Sequence, residues 1–389
     1  MKFGQNSSKL AGSISSKKGW KSALIITDSG VKKAGLLNGV TASLEENGVK
    51  YAVFDEVQPN PTDHVVEKAA SLLKKKKYDV AISIGGGSSI DTGKIASVLA
   101  TNPGGIKDFE LRTFEDFQLE KIKNHPLPLI AIPTTAGTGS EADFWAVATD
   151  SKLKYKMEFG QAPSYPGQPY CGPAISLLDP LLTLSLPPGQ TVSTGIDAFY
   201  HAYETFTAND TTPICQPFSL ESMNLVAQAL HKAYSFGSDI EAREKMMLAA
   251  HFGGVALNLA NLTVLHALAH GLAMYEGIPH GVATNVFAPH VMEYNRIATE
   301  EKLVTIAGIL GTDLTDLPLR EASKECIEVF KDFISDLRMP SSLEELNVKE
   351  SDLNRIAKTA AESMEITGNP RSIDYKGALE IAKKAFKST

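Results

Sequence analysis

Short apolar runs alternate with helical patterns through the first third of the chain. Ser22–Asp28 (SALIITD) predicts a strand, and the spacing after it predicts a helix to about Asn47. Tyr51–Val57 (YAVFDEV) predicts a second strand, closed by the turn-rich run Gln58–Thr62. A helix is expected to about Lys77, a third strand over Asp79–Ile84, a helix from near Ser88 and a fourth strand over Leu127–Pro133. Strands alternating with helices imply βαβ units, a parallel sheet and right-handed crossovers. The pattern then changes. Glu158–Ile175 is rich in Gly, Pro, Tyr and Gln, and after Leu186-Pro-Pro-Gly189 the periodicity is helical almost to the end. The expected fold is an α/β N-terminal domain with a parallel sheet over 1–187, followed by an all-α C-terminal domain over 188–389.

Length and composition fit that division. A chain of 389 residues is comfortable for two domains, and 43% hydrophobic with 21% charged residues is ordinary for a globular protein. A net charge of −7 gives no reason to expect nucleic acid or an anionic membrane as partner. The basic run Lys74–Lys77 reads as the solvated end of a helix. Cys171, Cys215 and Cys326 are scattered, with no CxxC, which argues against a disulfide framework and a thiolate metal site. No signal-peptide core and no membrane-spanning apolar run is present, so the expected location is the cytoplasm. A homodimer or a higher homo-oligomer is the expected assembly.

Two loops carry candidate phosphate chemistry. Gly85-Gly-Gly-Ser-Ser-Ile-Asp91 follows a strand and opens a helix. Glycines admit a phosphate to the backbone, and a helix N-terminus offers free N–H groups and a positive dipole end. The same residues also suit a tight strand-to-helix turn with no ligand. The next strand runs into Pro133-Thr-Thr-Ala-Gly-Thr-Gly-Ser-Glu141, again small and hydroxyl-rich at a strand's carboxyl end. Two such loops on consecutive strands favour a dinucleotide, in a Rossmann-like arrangement that lacks the GxGxxG turn. Asp28, ending the first strand, is placed either to accept from ribose hydroxyls and favour NAD over NADP, or to cap the next helix.

The helical half carries a candidate metal site. Asp197 and His201 are four apart, as are His266 and His270, and His280 sits in a Pro-His-Gly turn. Positions i and i+4 of a helix share a face, so each pair can present two side chains to one ion. Spacing leaves open which four of the five bind, and whether His266 and His270 are instead buried and bonded to backbone. One Asp with several His suits Fe²⁺ or Zn²⁺ and does not suit Ca²⁺ or Mg²⁺. Glu204, three beyond His201, is placed to support a ligand from behind. His251 and His290 fall outside the pattern and read as structural.

Taken together, these residues resemble the iron-containing (group III) alcohol dehydrogenase family. The match runs in order through GGGSxxD at Gly85–Asp91, PTTAGTGSE at Pro133–Glu141, LPP at Leu186–Pro188 and GxDAxxHAxE at Gly195–Glu204. It continues through HAxAH at His266–His270, PHGxA at Pro279–Ala283 and the late Gly368-Asn-Pro370-Arg371. The resemblance spans essentially the whole chain. It implies a dehydroquinate synthase-like architecture and metal-dependent, NAD(P)-linked hydride transfer between an alcohol and nicotinamide. The implied metal ligands are Asp197, His201, His266 and His280, holding Fe²⁺, with Zn²⁺ or another divalent ion as alternatives. His270 would lie near the nicotinamide as a catalytic proton relay. Gly86, Gly87, Ser88 and Asp91 would serve the cofactor on one wall, with Thr134, Thr135 and Thr138 on the other. Asp28 matches the position associated with NAD preference, and Lys156 aligns with a cofactor-proximal lysine.

This chain also departs from the family's pattern. Asn261-Leu-Thr-Val-Leu-His266 replaces a glycine-rich approach, and Asp143 and Trp145 stand where some relatives have a small polar residue and an Asn. Phe144, Trp145 and Leu257 are expected to line a pocket for a short or medium apolar alcohol, and an inward Asp143 would disfavour an anionic one. The competing function on the same frame is a non-redox metal-dependent lyase, hydrolase or cyclase, as in sugar-phosphate cyclases related to dehydroquinate synthase.

Overall fold

Successive side chains of a strand point to opposite faces, and the central strands of the N-terminal half are apolar on both. The computed structural model describes residues 1–387 apart from 114, 117, 118, 165, 274 and 276. Its N-terminal elements are β1 (Lys2–Phe3), α1 (Ala11–Lys17), β2 (Ser22–Asp28), α2 (Ser29–Lys33), α3 (Asn38–Glu46), β3 (Lys50–Val57) and α4 (Asp63–Lys76). They continue with β4 (Val80–Gly85), α5 (Gly87–Thr101), β5 (Leu129–Pro133), β6 (Trp145–Thr149), β7 (Lys156–Gly160) and β8 (Ile175–Leu178). Ala23 and Ile25 of β2 join Val80, Ile82, Ile130 and Ile132 in one core layer, with Val40 and Leu44 of α3. Leu24 and Ile26 join Ala81 and Leu129 in the opposite layer, with Val66 and Leu73 of α4 and Ile95 and Val98 of α5. Each valine, leucine or isoleucine among them contributes about 1.5–3 kcal/mol when fully buried.

The described sheet has six strands in the order β1-β8-β5-β4-β2-β3, and every pairing is parallel. The chain leaves β2 outward to β3, then returns to β4 on the other side of β2. Open α/β sheets bind ligands outside the carboxyl ends of the strands at such a reversal. Asp28 ends β2 and Gly85 ends β4, so both stand at that point.

Sequence periodicity predicts four strands here, and the structure adds several. β1 and β8 are only two and four residues long, too short to show a period. β6 and β7 form an antiparallel hairpin outside the main sheet. Ala146, Ala148, Met157 and Phe159 turn into the core from the hairpin, so by alternation Trp145, Val147, Lys156 and Glu158 share its other face. The single helix expected after β2 is two, because Gly35 sits between them at φ +74°, a left-handed conformation that ends a helix.

The chain divides into two compact units, Met1–Leu186 and Pro187–Thr389. The second is helical throughout its described residues: α6 (Pro188–Thr207), α7 (Gln216–Ser235), α8 (Ile240–Leu257), α9 (Val264–His270), α10 (His280–Ile309), α11 (Leu319–Ser335), α12 (Leu353–Glu362) and α13 (Tyr375–Lys384), with short 3-10 turns between. α6 is buried along most of its length, packed by α7, α8 and α10. Phe199 stacks on Phe330 at 5.5 Å, and Tyr200 donates to Asn285 Oδ1 at 2.6 Å. No described helix is long and apolar enough to cross a membrane.

Candidate metal centre and nucleotide loops

A helix turns about 100° per residue, so i+4 lies about 40° from i and i+7 about 20° to the other side. Asp197, His201 and Glu204 therefore occupy one face of α6, and that face is buried. His266 comes from the middle of α9, which Thr263 caps at its N-terminus. His280 is the first residue of α10, behind the extended Pro279. Gly281 lets α10 approach α6: a Cβ there would lie 1.8 Å from Ser193 O, so only glycine fits.

Asp197, His201, His266 and His280 each offer one ligand atom, and these atoms lie within 4.8 Å of one another. His266 Nε2 and His280 Nε2 are each 3.7 Å from Asp197 Oδ1, beyond hydrogen-bond range. Two atoms each about 2.1 Å from one ion at a tetrahedral angle sit about 3.4 Å apart, close to those spacings. Asp197 and His266 are 3% and 1% exposed, and Asp197 Oδ1 and His266 Nε2 have no hydrogen-bond partner. An unsatisfied buried polar atom costs about 1–3 kcal/mol, a cost that a coordinated cation removes. The donor set thus fits a divalent ion. The His280 side chain is 33% exposed, which keeps one side of the cluster accessible.

Glu204 supplies the support behind the cluster. Its Oε1 accepts from Thr263 N at 2.8 Å and from the Thr263 hydroxyl, while Oε2 is bonded to His266 Nδ1. A carboxylate accepts only, so Nδ1 carries the proton and Nε2 keeps its lone pair for the ion. Burial works against the Asp197 carboxylate, but the imidazoles of His201, His280 and His266 outweigh it and hold the group below its ordinary range. Burial likewise opposes a charged His266, and Glu204 with Asp197 outweighs it, holding that imidazole well above its ordinary value. The pocket takes up positive charge, either as a proton or as a metal that displaces it.

His270 lies outside this quartet. Its Nδ1 is 3.4 Å from Glu365 Oε2, and its ring stacks against His280 at 5.6 Å between centroids. Neither His251 nor His290 belongs to it. Burial, with Lys331 and Lys384, pushes His290 down to about 4. Two residues of the site escape the sequence argument. Thr263 carries a usable signal, a hydroxyl residue before an apolar helical run. Glu365 carries none, since 95 positions separate it from His270. Asn261, in the run that replaces a glycine-rich approach, is tied to Asp210 Oδ2 through Nδ2 at 2.8 Å.

In the α/β unit the two candidate phosphate loops touch. Thr134 N donates to Gly85 O at 2.9 Å. A Cβ on Gly87 would lie 2.6 Å from Thr138 Cγ2, so the start of α5 and the β5 loop can be this close only with glycine there. Gly86, Gly87 and Ser88 open α5, where backbone N–H groups lack helical partners. Of the two alternatives for Asp28, the structure shows the cap: Oδ1 accepts from Gly30 N at 2.8 Å and Val31 N at 2.9 Å at the start of α2. Its Oδ2 lies on the Gly85 side, 3.4 Å from the position of a Cβ on that residue.

The remaining candidates have partners of their own. Asp91 is bonded inside the unit, its carboxylate accepting from Ser140 Oγ at 2.5 Å and Val147 N at 3.1 Å. Asp143 is not a free negative wall for substrate: it is buried against Lys94 Nζ at 2.6 Å. Burial pushes its carboxyl up to about 7, with that ammonium working against the rise. Phe144 and Leu257 are buried, leaving Trp145 half-exposed of the three apolar candidates. Lys156 Nζ donates to Asn60 Oδ1 at 2.5 Å, and burial pushes it down to about 8 against the pull of Asp91. Tyr165, within the Pro/Tyr-rich run, lies outside the described residues.

Comparison with known proteins covers both units. Residues 1–180 match the family described as iron-containing alcohol dehydrogenase, and residues 191–386 match the Fe-containing alcohol dehydrogenase family, C-terminal. The NAD-dependent methanol dehydrogenase of Bacillus methanolicus is 34% identical over 384 residues, covering 99% of this chain and 97% of that protein. The 1,3-propanediol dehydrogenase of Citrobacter freundii is 34% identical over 386 residues, covering 99% and 96%. A crystal structure of 1,3-propanediol oxidoreductase superposes with a TM-score of 0.91 at 33% identity, covering 99% of this chain and 97% of that one.

Proposed function

This chain belongs to the iron-containing alcohol dehydrogenase family and is an NAD(P)-linked alcohol dehydrogenase, and from that premise we propose how its residues divide the work. Asp197, His201, His266 and His280 hold one divalent ion, Fe²⁺ by family and Zn²⁺ by the same donor set. The observation that carries this assignment is the buried quartet itself, with partnerless Asp197 Oδ1 and His266 Nε2 facing a common point and Glu204 orienting His266. When bound, the metal supplies Lewis acidity toward an alcohol or carbonyl oxygen, and the nicotinamide supplies or accepts the hydride.

The chain's own groups do the rest. Asp197 brings the only negative charge among the four ligands, leaving the site cationic when filled. His270 moves the alcohol proton, an imidazole being suited to exchange near neutral pH. The free N–H groups of Gly86, Gly87 and Ser88 receive the cofactor phosphates, and Thr134, Thr135 and Thr138 line the facing loop. Asp28 Oδ2 accepts from ribose hydroxyls and repels a 2′-phosphate, favouring NAD over NADP. Lys156, already short of its full charge by burial, attends the cofactor from the hairpin. The substrate is a small primary or secondary alcohol or its carbonyl partner, and the working form is a cytoplasmic homodimer, consistent with three buried free thiols.

The test is NADH oxidation by anaerobically prepared protein against a panel of short aldehydes. It is run with Fe²⁺, with Zn²⁺ and after chelation, and repeated with NADPH. Oxidation that disappears on chelation, returns with one metal and prefers NADH is expected. Oxidation that survives verified metal removal refutes the metal assignment. A metal-loaded protein that binds NADH yet turns over no aldehyde favours the non-redox alternative.

A further inference from the structure

Helix α5 carries a fully buried cation two turns beyond its glycine-rich start. Lys94 is 0% exposed in its side chain and its partner Asp143 is 4% exposed. The Lys94 ammonium donates to Asp143 Oδ1 at 2.6 Å and to Trp145 O at 2.7 Å. Asp143 Oδ1 also accepts from Trp145 N at 2.9 Å. Three residues earlier on the same face, Asp91 accepts from Ser140 Oγ at 2.5 Å and Val147 N at 3.1 Å. Asp91 and Lys94 thus stitch one side of α5 to the segment running from the β5 loop into the hairpin, at Ser140, Asp143, Trp145 and Val147.

Packing does not require this seam. A methionine and a leucine fill similar volume, and apolar replacement of a buried ion pair is often neutral or stabilising. What an ion pair adds is direction, because each bond fixes where its partner sits. The elements fixed here are α5, which begins with Gly87, and the β5 loop, which carries Thr138. Their approach is so close that a single added methyl cannot enter.

The geometry points to Lys94, Asp143, Asp91 and Ser140 as positioning residues for the nucleotide. They set the spacing of the two loops, and through it the affinity for NAD(H), without touching the cofactor. This rests on the assignment of those loops to the dinucleotide. It also takes Asp143 out of substrate selection.

The discriminating variant is K94M/D143L, compared with K94M, D143L and wild type in the metal-loaded protein. Melting temperature, metal content and NADH dissociation constant from fluorescence titration are read for each. Both single variants leave a buried charge unpaired and melt well below wild type, while the double variant recovers most of that loss. The double variant nevertheless binds NADH at least tenfold more weakly, with KM for NADH raised, kcat changed less than threefold and full metal content. A double variant with wild-type stability and wild-type NADH affinity overturns the proposal, reducing the pair to a packing element. S140A covers the case in which the double variant does not fold, since it removes one hydroxyl from Asp91 in the seam and leaves the Lys94–Asp143 ion pair intact. It is expected to weaken NADH several-fold, and unchanged affinity overturns the proposal equally. Wild type that binds metal but no NADH defeats the loop assignment itself, an outcome separate from an insensitive double variant.

Discussion

Replacing Glu204 with glutamine tests the metal centre at its support without touching a ligand. The exchange keeps size and leaves an oxygen able to accept from Thr263 N and the Thr263 hydroxyl, as Oε1 does now. It changes what faces His266. Where Oε2 of the carboxylate accepts the Nδ1 proton, the glutamine presents an amide N–H₂, which can only donate. Nδ1 must then become the acceptor and the proton moves to Nε2, the atom that faces Asp197 Oδ1 at 3.7 Å. A protonated Nε2 cannot ligate. Loss of such a supporting bond typically weakens metal affinity about 10–100-fold, which is about 1.4–2.8 kcal/mol. The fold should suffer less, since the bonds at Oε1 survive. The assay is Zn²⁺ competition against a chromophoric chelator, with thermal melts of apo and metal-loaded protein. Wild type held at 100 times its dissociation constant gains about 2.7 kcal/mol from the metal, and E204Q at the same free metal should gain visibly less. Wild-type metal affinity in E204Q would refute the tautomer argument and remove either Glu204 or His266 from the site.

Other outcomes follow from the same geometry. G87A places a methyl 2.6 Å from Thr138 Cγ2, so NADH should bind at least tenfold more weakly with metal content unchanged, measured by titration calorimetry and elemental analysis. H270Q should lower kcat by about 10²–10⁴-fold while retaining metal; metal loss in that variant would make His270 a ligand. Lys156 has its folded pKa lowered from 10.5 to about 8, so between those values the unfolded chain binds more protons and stability rises with pH. The urea midpoint of wild type relative to K156M should therefore increase from pH 8 to pH 10, and a flat or falling difference contradicts the burial of that ammonium.

The candidate metal residues are more legible in the sequence than the nucleotide side, with five candidates from spacing and four of them singled out by the resemblance. Helical spacing places Asp197, His201 and Glu204 on one face by arithmetic alone, and α9 repeats the device with His266 and His270. His280 is legible because proline and glycine flank it at a helix start. The strands that escaped are those without a period: β1 with two residues, β8 with four, and a hairpin interrupted by polar positions. Gly35 is a weaker signal in sequence, because the apolar positions at Leu36, Leu37 and Val40 run on directly beyond it. Glu365 beside His270 and Ser140 beside Asp91 depend on chain segments far apart in sequence, and only folding brings them together.

The acidic residues carry the deeper lesson, since spacing identified them and neighbours assigned their work. Asp197 faces three imidazoles across gaps too wide for hydrogen bonds, which leaves room for an ion and supports the ligand role we propose for it. Glu204, two turns along the same face of the helix, meets an imidazole N–H and a threonine, and becomes the group that fixes a tautomer. Asp28 spends one oxygen on a helix cap and keeps the other toward Gly85 at the strand reversal. Asp91 and Asp143 lie within reach of the nucleotide loops in sequence, yet Asp91 has both oxygens bonded to Ser140 and Val147, and Asp143 holds Lys94 and Trp145 N on Oδ1. A carboxylate whose acceptor sites are already filled by internal donors has little left for a ligand, whatever motif it stands in. The unspent oxygens at Asp197 Oδ1 and Asp28 Oδ2 are what support our proposal of the one for the metal and the other for the ribose.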